Sequence, residues 1–430
     1  MDFSKINLAE EKYSNSDVMI IRGLASQVSE IAQLPHQESS RNLWKRLNSL
    51  KAGRPLLHIC ELPWHEMNYD NELTLQCESD LCRSIEAELR QTLYLWRHVR
   101  GDMVVEPVFY CPMCVEDTGV GFKDVVDEKI KDDKNSINSK HFTPQIIDEK
   151  DLDKFHAPVV THHKEQTRSN FEVLSNIFGN EIEVKVRGVN GYFFRFAPWD
   201  DLVRWWGIEE ALIDLYDRPE MVHEAMNRLV DAHLVRLDQY EEQNLLTLNN
   251  GFAQAGSGAY GYTDELPSKD FDPKHIKAKD LWGSSTAQIF VSVSPEMHDE
   301  FAITHELKWM ERFGLNYYGC CEPLHHKVNI LKKVPNLRKI SMSRWVYVDK
   351  AVENVGNQYV FSYKPNAAIF AVDNWSVDAA EKELRNVLVK AKQHDCKVEI
   401  IMKNITTVLY EPKRVWDWME MATKVVHEFE

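Results

Sequence analysis

The sequence lacks an excess of basic residues, because 51 Lys and Arg stand against 67 Asp and Glu and give a formal charge of -16. Proteins that bind DNA or RNA place positive charge against phosphates and release counterions. A strongly acidic chain repels phosphate backbones and anionic lipid surfaces instead. We therefore expect no nucleic acid among the partners of this protein.

Long apolar runs are also missing. No stretch approaches the roughly 18 apolar residues of a membrane-spanning helix, and residues 1–5 show no basic segment followed by an apolar run. The 8 cysteines in 430 residues are too few for a disulfide framework. These absences predict a cytoplasmic protein without a membrane contact, in which each cysteine is either a small buried side chain or a ligand.

What the sequence does contain is enough apolar residues, 43% of the chain, to bury one large core or two medium ones. Residues 1–100 predict a helical extension, with an amphipathic helix over about 71–98. The charged stretch 131–150 predicts an exposed connection. Beyond it, short apolar segments alternate with helical periodicity. The predicted strands are 103–109, 184–186, 245–248, 315–320, 337–342, 358–363 and 397–403, and the predicted helices begin near residues 219, 295, 323, 348, 377 and 412.

This alternation predicts parallel strands joined by right-handed crossovers. Because the number of strands approaches eight, we predict an α/β fold, closed as a (β/α)8 TIM-type barrel over residues 101–430. A glycine-rich loop at 255–261 does not have the spacing of a phosphate-binding loop. It begins a longer loop, from Ala255 to about Asp280, which is predicted to be a mobile lid over the mouth of the barrel.

The densest group of chemically active side chains lies in the stretch 317–326, Tyr-Tyr-Gly-Cys-Cys-Glu-Pro-Leu-His-His, where a predicted strand ends and a helix begins. On a barrel, the residues after each strand face one common mouth. Thiols with an imidazole or a carboxylate suit Zn²⁺, although a buried core thiol is the simpler interpretation of Cys320. Glu322 is the candidate catalytic carboxylate. The candidate substrate-binding residues at the other strand ends are Asn249, Asn250, Lys364 and Asn404.

Several motifs resemble, in their order and spacing, the uroporphyrinogen decarboxylase superfamily from about residue 100 to the end of the sequence. They are Arg-Trp-Trp-Gly-Ile-Glu-Glu at 204–210, Arg-Pro-Glu-Met-Val at 218–222, Ser-Pro-Glu-Met at 294–297, and the glycine-cysteine strand end. The resemblance implies a (β/α)8 barrel with one of two activities. The first is decarboxylation without a cofactor. The second is methyl transfer in which Zn²⁺ activates the substrate and a cobalt corrinoid, as in methylcobalamin, carries the methyl group on a partner protein.

The sequence departs from the pattern of both branches, the decarboxylases and the zinc methyltransferases. The arginine-rich segment Arg-Gln-Ala-Gly-Arg, which holds substrate carboxylates in the decarboxylase-like members, is absent. The zinc methyltransferases carry His-x-Cys at this strand end, where Cys321 matches the cysteine and Gly319 stands in place of the histidine. They also carry a further cysteine near the last strand, where this chain has Lys403 and Asn404.

Because the arginine-rich segment of the decarboxylases is absent, the resemblance is closer to the methyltransferase branch. It implies a zinc site built from Cys321, with Cys320 and His298 in place of the missing ligands. The expected reaction moves a methyl group between a corrinoid protein and a small substrate, such as a methoxy compound or a thiol. Two alternatives stay open, a decarboxylase-like lyase and a barrel retained as a non-catalytic binding subunit.

Overall fold

The computed structural model describes residues 1–130, 139–189 and 196–430. The helices are α1 (Asn15–Ala32), α2 (Pro35–Asn48), α3 (Asp80–His98), α4 (Lys164–Phe178), α5 (Pro198–Trp206), α6 (Ile208–Asp217), α7 (Pro219–Glu242), α8 (Pro295–His298), α9 (Thr304–Met310), α10 (Val328–Leu331), α11 (Val348–Val355), α12 (Val377–Gln393) and α13 (Lys413–His427). The strands are β1 (Leu56–Ile59), β2 (Val108–Pro112), β3 (Val115–Asp117), β4 (Val126–Ile130), β5 (Ser139–Phe142), β6 (Val160–His162), β7 (Glu183–Arg187), β8 (Trp282–Ser285), β9 (Leu315–Tyr318), β10 (Leu337–Met342), β11 (Val360–Tyr363) and β12 (Lys397–Met402).

The centre of the molecule is a six-stranded sheet in the order β1-β12-β11-β10-β9-β8. All five neighbouring pairs are parallel. Every residue of β8, β9, β11 and β12 is buried. This is the pattern of a parallel sheet covered on both faces, which explains why most of these strands are nearly continuous apolar runs. The carboxyl ends of all six strands consequently lie along one edge.

Strands β2 and β7 form a separate parallel pair. The main-chain N–H of Val189, just after β7, donates to the carbonyl of Leu245. The Asn249 side chain exchanges two hydrogen bonds with the main chain of Trp282 at the start of β8. The segment 245–249 therefore lies between β7 and β8. Within the described ranges no strand pairing joins β1 to β2, so the α/β architecture is present but the closed eight-stranded barrel is not shown.

Several elements differ from the sequence prediction. β1 lies inside the segment predicted to be helical, and it pairs with β12 along Leu56 to Ile59. Four residues are too few to show a periodicity, which is why the sequence does not reveal this strand. The helix expected after Pro295 is interrupted by a π-helical turn at Asp299–Ile303. The predicted exposed connection lies partly outside the described residues, at 131–138, and continues into β5, which pairs with β4.

The N-terminal helices pack on the side of the molecule where β1 and β2 are not joined. A separate apolar core places α1, α3 and α4 against β2, through buried residues that include Ile21, Ile85 and Phe109. Helix α3 also contributes Tyr94 to the main core, which contains Leu57 and Ile59 of β1. None of the helices in the described ranges is long and apolar enough to cross a membrane.

Candidate active site at the carboxyl edge of the sheet

The end of β9 sets the position of the two thiols. Gly319 has φ +93°, and a Cβ at this position would lie 2.5 Å from Leu324 Cδ1. Only glycine adopts this backbone conformation without strain in so small a space. A histidine or any other larger side chain at position 319 would be strained. This tight turn places Cys320 and Cys321 at the carboxyl edge of the sheet.

The two thiols form a pair. Cys320 Sγ and Cys321 Sγ are 3.6 Å apart, and Cys321 is exposed while Cys320 is partly buried. The hydroxyl of Ser257 donates to Cys320 Sγ at 3.3 Å. Lys403, directly after β12, places its Nζ 3.3 Å from the same hydroxyl oxygen. Cys320 therefore has three polar neighbours suited to a negatively charged sulfur.

These neighbours lower the pKa of Cys320 from 9.0 to about 5, through the hydrogen bond from the Cys321 thiol, the charge of Lys403, the Ser257 hydroxyl and the more distant Lys364. Burial opposes the shift but does not cancel it. The pKa of Cys321 is raised by its hydrogen bond to Cys320, then by burial and by the negative charge of Cys320. The pair thus carries one negative charge at neutral pH, located on Cys320.

Lys403 is held in place by the end of β1. Its Nζ lies 3.1 Å from Glu61 Oε1, and the other oxygen of Glu61 accepts the main-chain N–H of Asn404 at 3.2 Å. Burial disfavours the Lys403 ammonium, yet the charges of Cys320 and Glu61 raise its pKa overall. Asn404 Nδ2 in turn lies 3.9 Å from Cys321 Sγ. The ends of β1 and β12 together fix the cation beside the thiols.

A second lysine, Lys364, directly follows β11 and lines the same cavity as Cys321. Lys364 Nζ donates to the Tyr317 hydroxyl at 2.7 Å, and that hydroxyl lies 2.9 Å from Ser362 Oγ. Burial lowers the pKa of Lys364 from 10.5 to about 8, against the opposing charge of Cys320. An ammonium with this pKa gives up a proton near neutral pH. Lys364 is therefore suited to donate a proton close to the thiols.

An open cavity of about 210 Å³ adjoins the pair. Its walls include Cys321, Lys364, Lys403 and Asn404, and it extends beneath Trp345. The Trp345 ring is 65% exposed and carries the Arg344 guanidinium 3.8 Å from its centre. A small molecule in this cavity would lie against Cys321, whose Sγ is 3.6 Å from that of Cys320.

Three other predicted site residues, Glu322, Asn249 and Asn250, make hydrogen bonds within the fold. Glu322 is fully buried and accepts the Cys320 N–H at 2.8 Å and the Thr286 hydroxyl at 2.9 Å. Burial, followed by the charge of Cys320, raises the pKa of Glu322. Asn249 is bonded to the main chain of β8, and Asn250 donates to the carbonyl of Leu266. These contacts hold loops in place, whereas Lys364 and Asn404 lie at the mouth.

His298 lies away from the thiol pair. Its Nε2 is 2.8 Å from the hydroxyl of Tyr318, and burial lowers its pKa to about 3. Successive residues of a strand point to opposite faces. Tyr317 contacts the thiol-side lysine, so Tyr318 and His298 lie on the face covered by α8 and α9. The imidazole and the thiols are not brought together.

The predicted zinc site therefore does not fit the described residues. Two thiolates on one tetrahedral zinc, with Zn–S bonds of about 2.3 Å, stand about 3.8 Å apart, close to the observed pair. A catalytic zinc needs three protein ligands. Across the described part of the chain, no group of three or more His, Cys, Asp and Glu side chains is arranged to hold a metal ion. A cation, Lys403, stands beside the pair instead.

The sequence does not reveal Ser257, which contacts Cys320, or Glu61, which pairs with Lys403. Ser257 belongs to the glycine-rich loop, for which the sequence predicts a mobile lid. In the structure Gly256 has φ +56°, and a Cβ there would lie 2.6 Å from the Tyr317 ring. Ala255 and Ala259 are fully buried. The loop is packed as a wall beside the thiols, and its serine is part of that wall.

Comparisons with known proteins identify no family. No protein-family model matches the chain, and no curated protein matches it. Among solved structures, the chain is similar to a methyltransferase from Methanosarcina mazei, with 10% sequence identity and a TM-score of 0.48. The match covers 90% of this chain and 98% of that chain. A likeness at this level carries no argument about activity.

Proposed function

We propose that the protein is a methyltransferase that acts on a small molecule and uses the Cys320 thiolate as its nucleophile. The observation that supports this most directly is the lowered pKa of the Cys320 thiol, which lies 3.6 Å from Cys321 in the wall of a cavity at the carboxyl edge of a parallel sheet. A thiolate of this kind is an activated nucleophile. The choice of a methyl group rests on the sequence resemblance described above.

The proposed step is a displacement at the methyl carbon. A donor whose methyl group is bonded to oxygen, nitrogen or sulfur occupies the 210 Å³ cavity. Cys320 Sγ attacks the carbon, so that an S–C bond forms while the bond to the donor heteroatom breaks. That heteroatom leaves with the electron pair and takes a proton from Lys364, whose pKa is about 8. Lys403 stays charged and stabilises the sulfur before attack.

The methyl group must then leave the Cys320 thioether for an acceptor. A cobalt corrinoid on a partner protein would supply a strongly nucleophilic metal for this role. The loops after β10 and β12 place three exposed aromatic rings along the same edge as the cavity, with 65%, 59% and 63% of their surface exposed in Trp345, Tyr347 and Tyr410. We place the partner on this rim, since interface cores are enriched in aromatic residues.

Methyl transfer to free cob(I)alamin tests the proposal. The purified protein is offered methoxy, methylthio and methylamine donors, and methylcobalamin formation is followed by absorbance. We expect Cys320→Ser to lower the rate by at least about a hundredfold, as expected for the loss of a nucleophile. Cys396→Ser is the matched control, because Cys396 precedes β12 at the opposite edge of the sheet. Transfer by Cys320→Ser at the wild-type rate would contradict the proposal.

A further inference from the structure

A second and larger cavity, of about 420 Å³, lies between α3, β2 and the end of β1. Its inner end is formed by Cys60 and Glu61, which follow β1. Its outer end meets an open cleft on the surface, and both spaces are lined by Glu88, Tyr110 and Arg187. The volume falls within the range of about 300–1,000 Å³ that small-molecule sites occupy. Nothing in the proposed methyl transfer uses this space.

Glu88 is the unusual residue of this cavity. It projects from α3 into the space that the cavity and the cleft share. Among the described residues, none forms a hydrogen bond or an ion pair with its carboxylate. Burial raises its pKa, with the charge of Arg187 acting in the opposite direction. The Glu88 side chain is nevertheless exposed to solvent where the cavity meets the cleft, so its carboxylate is accessible to a ligand that enters there.

The other charged groups of the cavity are already engaged. Glu61 pairs with Lys403, and Glu106 accepts the hydroxyls of Tyr110 and Tyr262. The two arginines of the lining stack on aromatic rings, Arg187 at 4.5 Å from the centre of the Tyr110 ring and Arg100 at 4.0 Å from the centre of the Trp96 ring. Glu88 is thus the carboxylate that this cavity offers to a ligand.

The rest of the lining is rich in aromatic rings, contributed by Trp64, Phe109, Tyr110, Phe252 and Tyr260. Aromatic faces attract cations through their quadrupole, and quaternary ammonium groups are recognised in this way. An apolar body is favoured by the same surfaces. The cavity therefore combines a carboxylate with aromatic walls, which is the chemistry of a site for an organic cation.

We propose that this cavity binds a small organic cation, an amine or a quaternary ammonium compound with an apolar or aromatic body, whose charge is held by Glu88. The proposal concerns binding alone and does not depend on the methyl transfer. Entry is through the surface cleft, past Tyr110 and Arg187. The apolar body of the ligand points toward Cys60 at the inner end.

Binding of benzyltrimethylammonium to the full chain tests the proposal, with benzyl alcohol and phenylacetate as neutral and anionic probes. Isothermal titration calorimetry should show binding of the cation in preference to both other probes. Glu88→Gln, which keeps the shape and removes the charge, should weaken binding by about tenfold or more. Glu165→Gln is the control, because Glu165 lies on the exposed face of α4 beside Arg168.

Three results would overturn the proposal: no binding of the cation, equal binding by Glu88→Gln, or tighter binding of phenylacetate. Because the Glu88 side chain is exposed and its carboxylate makes no hydrogen bond with the described residues, Glu88→Gln should leave the thermal unfolding midpoint nearly unchanged. Loss of binding in a folded variant is then a loss of the site. Methyl transfer is assayed separately, so the two proposals fail independently.

Discussion

The adjacent thiols Cys320 and Cys321 differ in charge because their surroundings differ. Ser257 and Lys403 are both placed on the Cys320 side, whereas Cys321 faces the open cavity. Once Cys320 is ionised, its charge opposes ionisation of Cys321 at 3.6 Å. The chemical difference therefore comes from residues far away in the sequence.

This account predicts that the thiolate needs no metal. Treatment with EDTA should leave the rate of Cys320 alkylation by iodoacetamide unchanged, because Lys403, Ser257 and Cys321 supply the stabilisation. Mass spectrometry of the Cys320 peptide measures the rate. A slower reaction in the untreated protein, with acceleration by EDTA and reversal by added zinc, would contradict the prediction. It would show that the thiol pair holds a metal.

At the residue scale, the sequence predicts the thiol pair and only some of its neighbours. Two adjacent cysteines after an aromatic strand are visible in the sequence, and so are Lys364 and Asn404 as strand ends. Ser257 and Glu61 carry no local signal, since their importance arises only from contacts across the fold. The predicted ligand His298 does not join the thiols, because the alternation of side chains along β9 places its partner, Tyr318, on the other face.

At the scale of elements, the C-terminal part of the chain is the most predictable. The predicted bounds of β10 and the predicted starts of α11 and α12 agree with the structure, because apolar runs alternate there with helices, one of them capped by Ser376. β8 escapes prediction because its sequence, Trp-Gly-Ser-Ser, has one large apolar residue. It is buried through its packing against β9 rather than through its own hydrophobicity.

Local sequence is also a poor guide to the glycine-rich loop at 255–261. Its composition predicts flexibility, whereas in the structure it is closely packed beside the thiols. Gly256→Ala should destabilise the protein by about 3 kcal/mol, since the new methyl group would clash with the Tyr317 ring and φ +56° is unfavourable for alanine. The urea unfolding midpoint measures this. Gly53→Ala is the matched control, because a Cβ added to Gly53 would meet no other part of the chain within 4 Å.

A Gly256→Ala protein as stable as Gly53→Ala would mean that the loop moves freely, as a lid does. The packed wall also predicts little protease cleavage at residues 255–260 in the absence of any ligand. Because Ser257 lies next to Gly256, displacement of the loop would also remove a hydrogen bond from Cys320. The variant therefore links the packing of this loop to the state of the thiolate.

At the scale of the whole molecule, the site is formed by residues from distant segments of the chain that meet at one edge of the sheet. The thiols follow β9, Lys403 follows β12, Glu61 follows β1, and Ser257 comes from the loop after the segment 245–249. A buried ion pair between Lys339 and Glu399, at 2.8 Å and fully shielded from solvent, joins β10 to β12 beneath the site. These segments span most of the chain, so the thiolate is a property of the folded protein.

The pH dependence of Cys320 alkylation in the folded and unfolded protein tests this account most directly. With a pKa of about 5, the folded thiol is ionised throughout pH 6–8, and the rate should be nearly constant. In urea, with an ordinary thiol pKa of about 8.5, the rate should rise nearly a hundredfold over the same range. A folded-state rate that rises as steeply as the unfolded one would contradict the central claim that the fold holds Cys320 as a thiolate.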